Sequence, residues 1–147
     1  MNGKVMVLED DTILAEQISR VLNDSKYEVQ LASNSDTFFT QLRTFKPDVI
    51  LLDVFLVGSR LNGIQVLKYI KENLDFNYKV IVFSGEVNTE QIRQIRELGA
   101  YHFLEKGPNF SIDQLLFHID NAIALKRQEE QNLDLQIEYL NLKRQFT

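Results

Sequence analysis

Five short apolar runs alternate with five segments whose apolar residues recur at steps of three and four. Lys4–Leu8 is the first run, and its continuous hydrophobicity predicts a buried strand. Thr12–Asn23 follows, with Ile13, Leu14, Ile18, Val21 and Leu22 at helical spacing and Asp11 or Thr12 placed as N-cap. Tyr27–Leu31 alternates and predicts a second strand. Ser35–Phe45 is helical, with Ser35 or Asp36 as its cap and Phe38, Phe39 and Leu42 inward. Pro47 restarts the chain into Asp48–Asp53, the most hydrophobic stretch of all. A loop, Val54–Leu61, contains Gly58, and Asn62 or Gly63 opens a helix to about Leu74. Lys79–Phe83 predicts the fourth strand. Asn88–Leu98 predicts a helix closed by Gly99, and Tyr101–Leu104 the fifth strand. The last helix begins near Ser111-Ile112-Asp113, and neither proline nor glycine interrupts it before the end.

Alternation of this kind implies parallel strands joined by right-handed helical crossovers, with helices on both faces. The expected fold is α/β, a doubly wound five-stranded parallel sheet. The last helix is too long for such a domain. Residues 1–125 read as the domain, and 126–147 as a helical linker or short coiled-coil extension. Leu116, Ile119 and Ile123 are expected against the sheet. From Lys126 the helix leaves the domain with an apolar stripe at Leu133, Ile137 and Leu140. Lys126, Glu130 and Arg144 interrupt that seam, so both a solvated linker and a short, weak coiled coil stay open.

Composition narrows the classes. With 147 residues and 44% apolar, the chain suits one ordinary domain with a full core. No apolar run approaches the ~18 residues needed to cross a membrane. The N-terminus runs straight into a strand, with no signal peptide in view. There is no cysteine, which excludes a disulfide framework and fits the cytoplasm. A net charge of −5 argues against direct nucleic-acid binding by this segment.

The chemistry gathers at the strand ends. Strand one ends in Glu9-Asp10-Asp11, strand three in Asp53, strand four in Ser84-Gly85 and strand five in Glu105-Lys106. Parallel strands bring these ends to one edge, where ligands bind in such sheets. Carboxylates this close cannot all ionise without a cation, and Mg²⁺ suits them because it takes oxygen ligands and needs only one or two carboxylates. Another carboxylate is then free as a nucleophile toward a phosphoryl group, giving an acyl phosphate. Lys106 and Ser84 are placed to hold the phosphoryl oxygens. Asp11 reads first as a helix cap and second as a ligand. His102 and His118 read as structural, and Lys126 and Arg127 as solvated surface.

These pieces resemble the receiver domains of bacterial response regulators. The resemblance rests on Val7-Leu8-Glu9-Asp10-Asp11, Val49-Ile50-Leu51-Leu52-Asp53, Val80-Ile81-Val82-Phe83-Ser84-Gly85 and Gly99-Ala100-Tyr101-His102-Phe103-Leu104-Glu105-Lys106, and covers about residues 3 to 125. It implies a flavodoxin-like sheet of strand order 2-1-3-4-5. It makes Asp53 the phosphoacceptor, and Glu9 and Asp10 the Mg²⁺ acids beside the Phe55 carbonyl. It makes Ser84 the switch hydroxyl, Lys106 the phosphoryl partner, Phe103 the aromatic switch and Gly85 the small residue that admits the phosphodonor. Phe55 and Glu86 flank the site and would tune the access of hydrolytic water. The departures are Gly107 where the family has proline after the lysine, Val57 where it has proline, a longer loop before Gly63, and phenylalanine rather than tyrosine at 103.

The function implied is a cytoplasmic signalling switch rather than an enzyme, with only self-directed phosphoryl transfer and autodephosphorylation. A sensor histidine kinase or phosphotransfer protein would supply the phosphoryl group. The face of helix four, strand five and helix five, with the final helix, would pass the change to an output domain, one for transcription among them, or to a homodimer partner. Two alternatives stand beside it. A Mg²⁺-dependent aspartyl-phosphate phosphohydrolase would need a substrate cap, for which the chain has no insertion. A phosphorylation-independent interaction module would not need the full acid set.

Overall fold

The computed structural model describes residues 2–74 and 77–146. Five parallel strands, β1 (Gly3–Leu8), β2 (Tyr27–Ala32), β3 (Val49–Leu52), β4 (Lys79–Ser84) and β5 (His102–Glu105), form one sheet in the order β2-β1-β3-β4-β5. The helices are α1 (Thr12–Asp24), α2 (Ser35–Phe45), α3 (Gly63–Asn73), α4 (Thr89–Glu97) and α5 (Ile112–Gln145). The expected doubly wound fold is the observed one, with edges differing by a residue or so. The expected reach of the last helix to 147 includes Thr147, which lies outside the described residues.

Alternate strand residues point to opposite faces, which divides the core in two. Met6, Leu8, Ile50, Leu52, Val80 and Val82 pack under α2, α3 and α4 through Phe38, Leu42, Val66, Leu67, Ile70 and Ile95. Val5, Val7, Val49, Leu51, Ile81 and Phe83 pack under α1 and α5 through Ile18, Leu22, Leu115, Ile119 and Ile123. A sheet covered on both faces explains why its strands read as continuous apolar runs.

The caps differ in one place. Asp11 caps α1, accepting from the N–H groups of Ile13 and Leu14 at 3.1 and 3.2 Å. Asn34, not Ser35 or Asp36, caps α2 by accepting from the Thr37 N–H at 2.9 Å. Ser35 is fully buried, and its hydroxyl accepts instead from the Leu61 N–H at 3.2 Å. Asn62 caps α3 and Asn88 caps α4, each in a reciprocal box with the glutamine three residues on.

The helix α5 leaves the body later than expected. Lys126 is only 7% exposed, and its ammonium lies 2.9 Å from Asp48 Oδ1, whose other oxygen accepts from the Lys4 N–H. One turn on, Glu129 accepts from Lys79 and from Asn77. Lys126 is thus a buried anchor rather than solvated surface. Its long aliphatic stem covers apolar area while its charge finds a carboxylate. Arg127 is exposed, and donates to the Asn2 carbonyl.

Candidate functional site

The carboxyl ends of β1, β3, β4 and β5 converge as expected of parallel strands. Glu9 follows β1 and is 2% exposed, and Asp53 follows β3 and is 4% exposed. Asp53 is held on both oxygens. Its Oδ1 accepts from Ser84 Oγ at 2.7 Å and from the Phe55 N–H at 3.2 Å, and its Oδ2 lies 2.9 Å from Lys106 Nζ. The same ammonium meets Glu9 at 2.8 and 3.0 Å and stands over the Phe83 ring. With Gly107 in place of proline, Lys106 still reaches both Asp53 and Glu9. The Lys106 N–H, bonded to the Ser84 carbonyl at 2.7 Å, continues the sheet pairing one residue past β5 and fixes its direction.

Asp10 points the same way, its Oδ2 accepting from the Val57 N–H at 3.0 Å. One oxygen each from Glu9, Asp10 and Asp53 lie within 4.8 Å of one another. Three carboxylates against one ammonium leave an excess of negative charge, and the donors are all hard oxygens, a set that fits a divalent cation such as Mg²⁺. Asp11, spent on its cap, is not in that cluster.

Burial acts on both inner carboxyls, with opposite outcomes. Burial pushes the Glu9 carboxyl up to about 8, with Asp53 adding to the rise and Lys106 opposing it. Burial works in the same direction on Asp53, but hydrogen bonds from Glu9, Ser84 and Lys106 outweigh it and hold Asp53 below the ordinary range. Asp53 accepts from Ser84, the Phe55 N–H and Lys106, whereas Glu9 accepts from Lys106. Burial alone would lower the Lys106 ammonium, but its two carboxylates raise it.

The surrounding residues divide by exposure. A side chain at Gly85 would meet nothing within 4 Å, so the approach beside Ser84 is open. Phe55 and Glu86 are exposed at the rim. Phe103, on β5, is half-buried and lines a groove of about 290 Å³ with Ile92, Ile95, Arg96, Ala100, Tyr101 and His102. His102 stacks on His118 of α5, with ring centres 4.0 Å apart.

Sequence reasoning missed the supports. At Gly63 a Cβ would overlap the Asp53 carbonyl oxygen and stand 2.7 Å from both the Asp53 carbonyl carbon and Val54 Cα. The backbone bearing Asp53 thus packs directly on the start of α3, and the Gly63 N–H donates to the Val54 carbonyl at 2.9 Å. Ser59 ties the intervening loop to α2, accepting from the Ser35 N–H at 2.9 Å and donating to the Leu61 carbonyl at 2.7 Å. The available signal was a glycine opening a helix, where a residue with a Cβ is ordinarily the better helix former.

Residues 5–120 match the family model described as response regulator receiver domain. The chain belongs to that family. Receiver domains of this kind are components of two-component signalling. This receiver is 28% identical over 127 residues to the nitrogen assimilation regulatory protein NtrX of Azorhizobium caulinodans, covering 86% of the chain and 27% of that protein. It is equally 28% identical over 127 residues to the sporulation initiation phosphotransferase F of Bacillus subtilis, covering 98% of that protein. The crystal structure of NtrX from Brucella abortus superposes with a TM-score of 0.81 at 29% identity, over 92% of the receiver and 30% of that chain. The chain thus spans under a third of the NtrX proteins and nearly all of the Bacillus relative. Among the described residues no helix is long and apolar enough to cross a membrane.

Proposed function

We propose that this receiver is a phosphorylation-dependent switch whose phosphoacceptor is Asp53. The observation that carries the reading is the setting of that carboxylate: buried, and gripped on separate oxygens by Ser84 and Lys106 at 2.7 and 2.9 Å. A free Asp53 oxygen lone pair attacks the phosphorus of a phosphohistidine on a sensor kinase or phosphotransfer protein. The P–N bond breaks, its electron pair returns to the imidazole, and Asp53 becomes an acyl phosphate. Lys106 and the Ser84 hydroxyl then follow the negative charge outward onto the phosphoryl oxygens.

Glu9 and Asp10, with Asp53 and the Phe55 carbonyl, would hold Mg²⁺. When bound, the ion offsets the repulsion between the carboxylates and the incoming phosphoryl oxygens. Gly85 keeps the donor's approach open. Withdrawal of Ser84 toward the phosphoryl group loosens the packing beside Phe103, and the groove between α4 and β5 shifts between two arrangements. That face, with α5, carries the signal to an output domain or partner. The NtrX likeness favours a regulatory output, and the likeness to the Bacillus phosphotransferase favours passage of the group along a relay. We place the receiver in the cytoplasm, assign it no substrate turnover beyond its own phosphorylation and dephosphorylation, and take its body to run from residue 1 past the expected end at 125 to the contacts of Lys126 and Glu129, with the remaining helix a linker or short coiled-coil extension.

The test is intact mass after incubation with Mg²⁺ and acetyl phosphate, for the wild type and Asp53→Asn. The expected result is the mass of one added phosphoryl group, dependent on both Mg²⁺ and Asp53. An unchanged wild-type mass together with no detectable Mg²⁺ binding would leave an interaction module and sink the mechanism.

A further inference from the structure

Beyond the body of the domain α5 carries two apolar stripes, not one. Leu133, Ile137 and Leu140 continue the side of the helix that is buried earlier as Ile119, Ile123 and Lys126. Leu135, Tyr139, Leu142 and Phe146 lie about half a turn around from it, at ~100° per residue, and all four are exposed. Traced toward the N-terminus at steps of three and four, this second stripe runs through Asn132 and Gln128 to Leu125, also exposed, without meeting a charged residue. The first stripe meets Lys126, Glu130 and Arg144, and Lys126 is already occupied by Asp48.

We propose that the second stripe is the seam of a parallel, two-stranded coiled coil with a second copy of this chain. Written as heptads, Leu125, Asn132, Tyr139 and Phe146 fall at the a positions, and Gln128, Leu135 and Leu142 at d. A single asparagine at a specifies register and strand number by pairing with its own copy, at a cost in stability. The flanks agree. In a parallel pair each g residue faces the e residue five places further along the other helix. Glu138 then meets the partner's Lys143, twice by symmetry, and Gln131 meets the partner's Gln136. A parallel pair on the first stripe would instead set Glu129 against the partner's Asp134, both acidic. An antiparallel pair on the second stripe would put a against d and deprive Asn132 of its matching amide. The seam does not depend on phosphorylation of Asp53, and it leaves Leu133, Ile137 and Leu140 on the outside of the pair.

Sedimentation equilibrium of the full chain over a dilution series tests this. The wild type should show a monomer–dimer equilibrium. The double variant Leu135→Asp/Leu142→Asp should lose the dimer, while Leu133→Asp/Leu140→Asp should keep it. Glu138→Lys and Lys143→Glu should each weaken association alone, and an equimolar mixture of the two should recover it as a heterodimer. All of these positions are exposed, and circular dichroism of each variant verifies the helix. A wild type that stays at the mass of one chain throughout, loss of the dimer in the Leu133/Leu140 variant, or a mixture that fails to recover association would overturn the proposal.

Discussion

Gly63→Ala separates two opposite expectations by sign. Gly63 is the first residue of α3, where replacing glycine by alanine in a compatible conformation stabilises a protein by about 0.4–1 kcal/mol. Here the new methyl would overlap the Asp53 carbonyl oxygen and stand 2.7 Å from two further backbone atoms. No flexible side chain is among those neighbours, so the backbone itself must move. Overpacking of this kind costs about 1–3 kcal/mol, and with backbone obstacles the upper part of that range applies. The net expectation is a loss of about 1–2.6 kcal/mol, which at ~2–4 °C per kcal/mol for a chain of this size lowers Tm by about 2–10 °C. Thermal unfolding by circular dichroism reads it directly. Gly85→Ala is the control, because its Cβ has no neighbour within 4 Å and its Tm should stay put. The displaced Asp53 backbone should also slow phosphorylation by acetyl phosphate. A Gly63→Ala protein with raised or unchanged Tm would refute the close approach on which the reasoning rests.

Other outcomes follow from the same contacts. Ser59→Ala removes one acceptor and one donor from the loop before α3; it should cost about 1–2 kcal/mol and speed hydrogen exchange at the Ser35 amide, and unchanged exchange would count against the tie. Millimolar Mg²⁺ should raise the wild-type Tm and EDTA should reverse the rise, while Asp10→Asn should lose most of the response; an equal response in the variant would remove Asp10 from the ligand set. Burial opposes ionisation of Asp48, but Lys126 and the Lys4 N–H outweigh it, so the folded pKa lies below the ordinary 3.8. A depressed carboxylate contributes stability above its unfolded pKa and loses it as pH falls through the folded value. Lys126→Met should therefore destabilise by about 1–2 kcal/mol at neutral pH, with the difference fading once the pH falls below the ordinary 3.8 and through the depressed folded value. A difference in Tm that stays constant across that titration would speak against the ion pair.

The residues that were legible in the sequence are those whose setting is local. Asp53, Ser84 and Lys106 each interrupt or end an apolar run, and parallel pairing alone brings run ends together. The supports were not legible because their partners are remote. Gly63 meets the backbone ten residues earlier, Ser35 meets Leu61, and Lys126 meets Asp48, separated by 78 positions. The cap of α2 was misplaced for the same reason. Ser35 has the chemistry of a cap, but tertiary packing buries it and commits its hydroxyl elsewhere, leaving Asn34 to serve. On α5, periodicity alone favoured Leu133, Ile137 and Leu140 as the seam. The burial of Lys126 shows that the sheet-facing side of the helix extends a turn beyond Ile123.

The continuity of α5 has a mechanical consequence. It runs unbroken from Ile112 to Gln145, 34 residues or about 50 Å at ~1.5 Å per residue, with roughly half of that length beyond its last contact with the body. Its root packs on β3 and β4, the strands that lead into Asp53 and Ser84. A rod clamped at one end acts as a lever. A reorientation of about 10° at the root moves a tip ~24 Å away by about 4 Å, nearly the rise of a helical turn. A small reorientation at the root would thus reach the far end as a displacement large enough to change how two surfaces register.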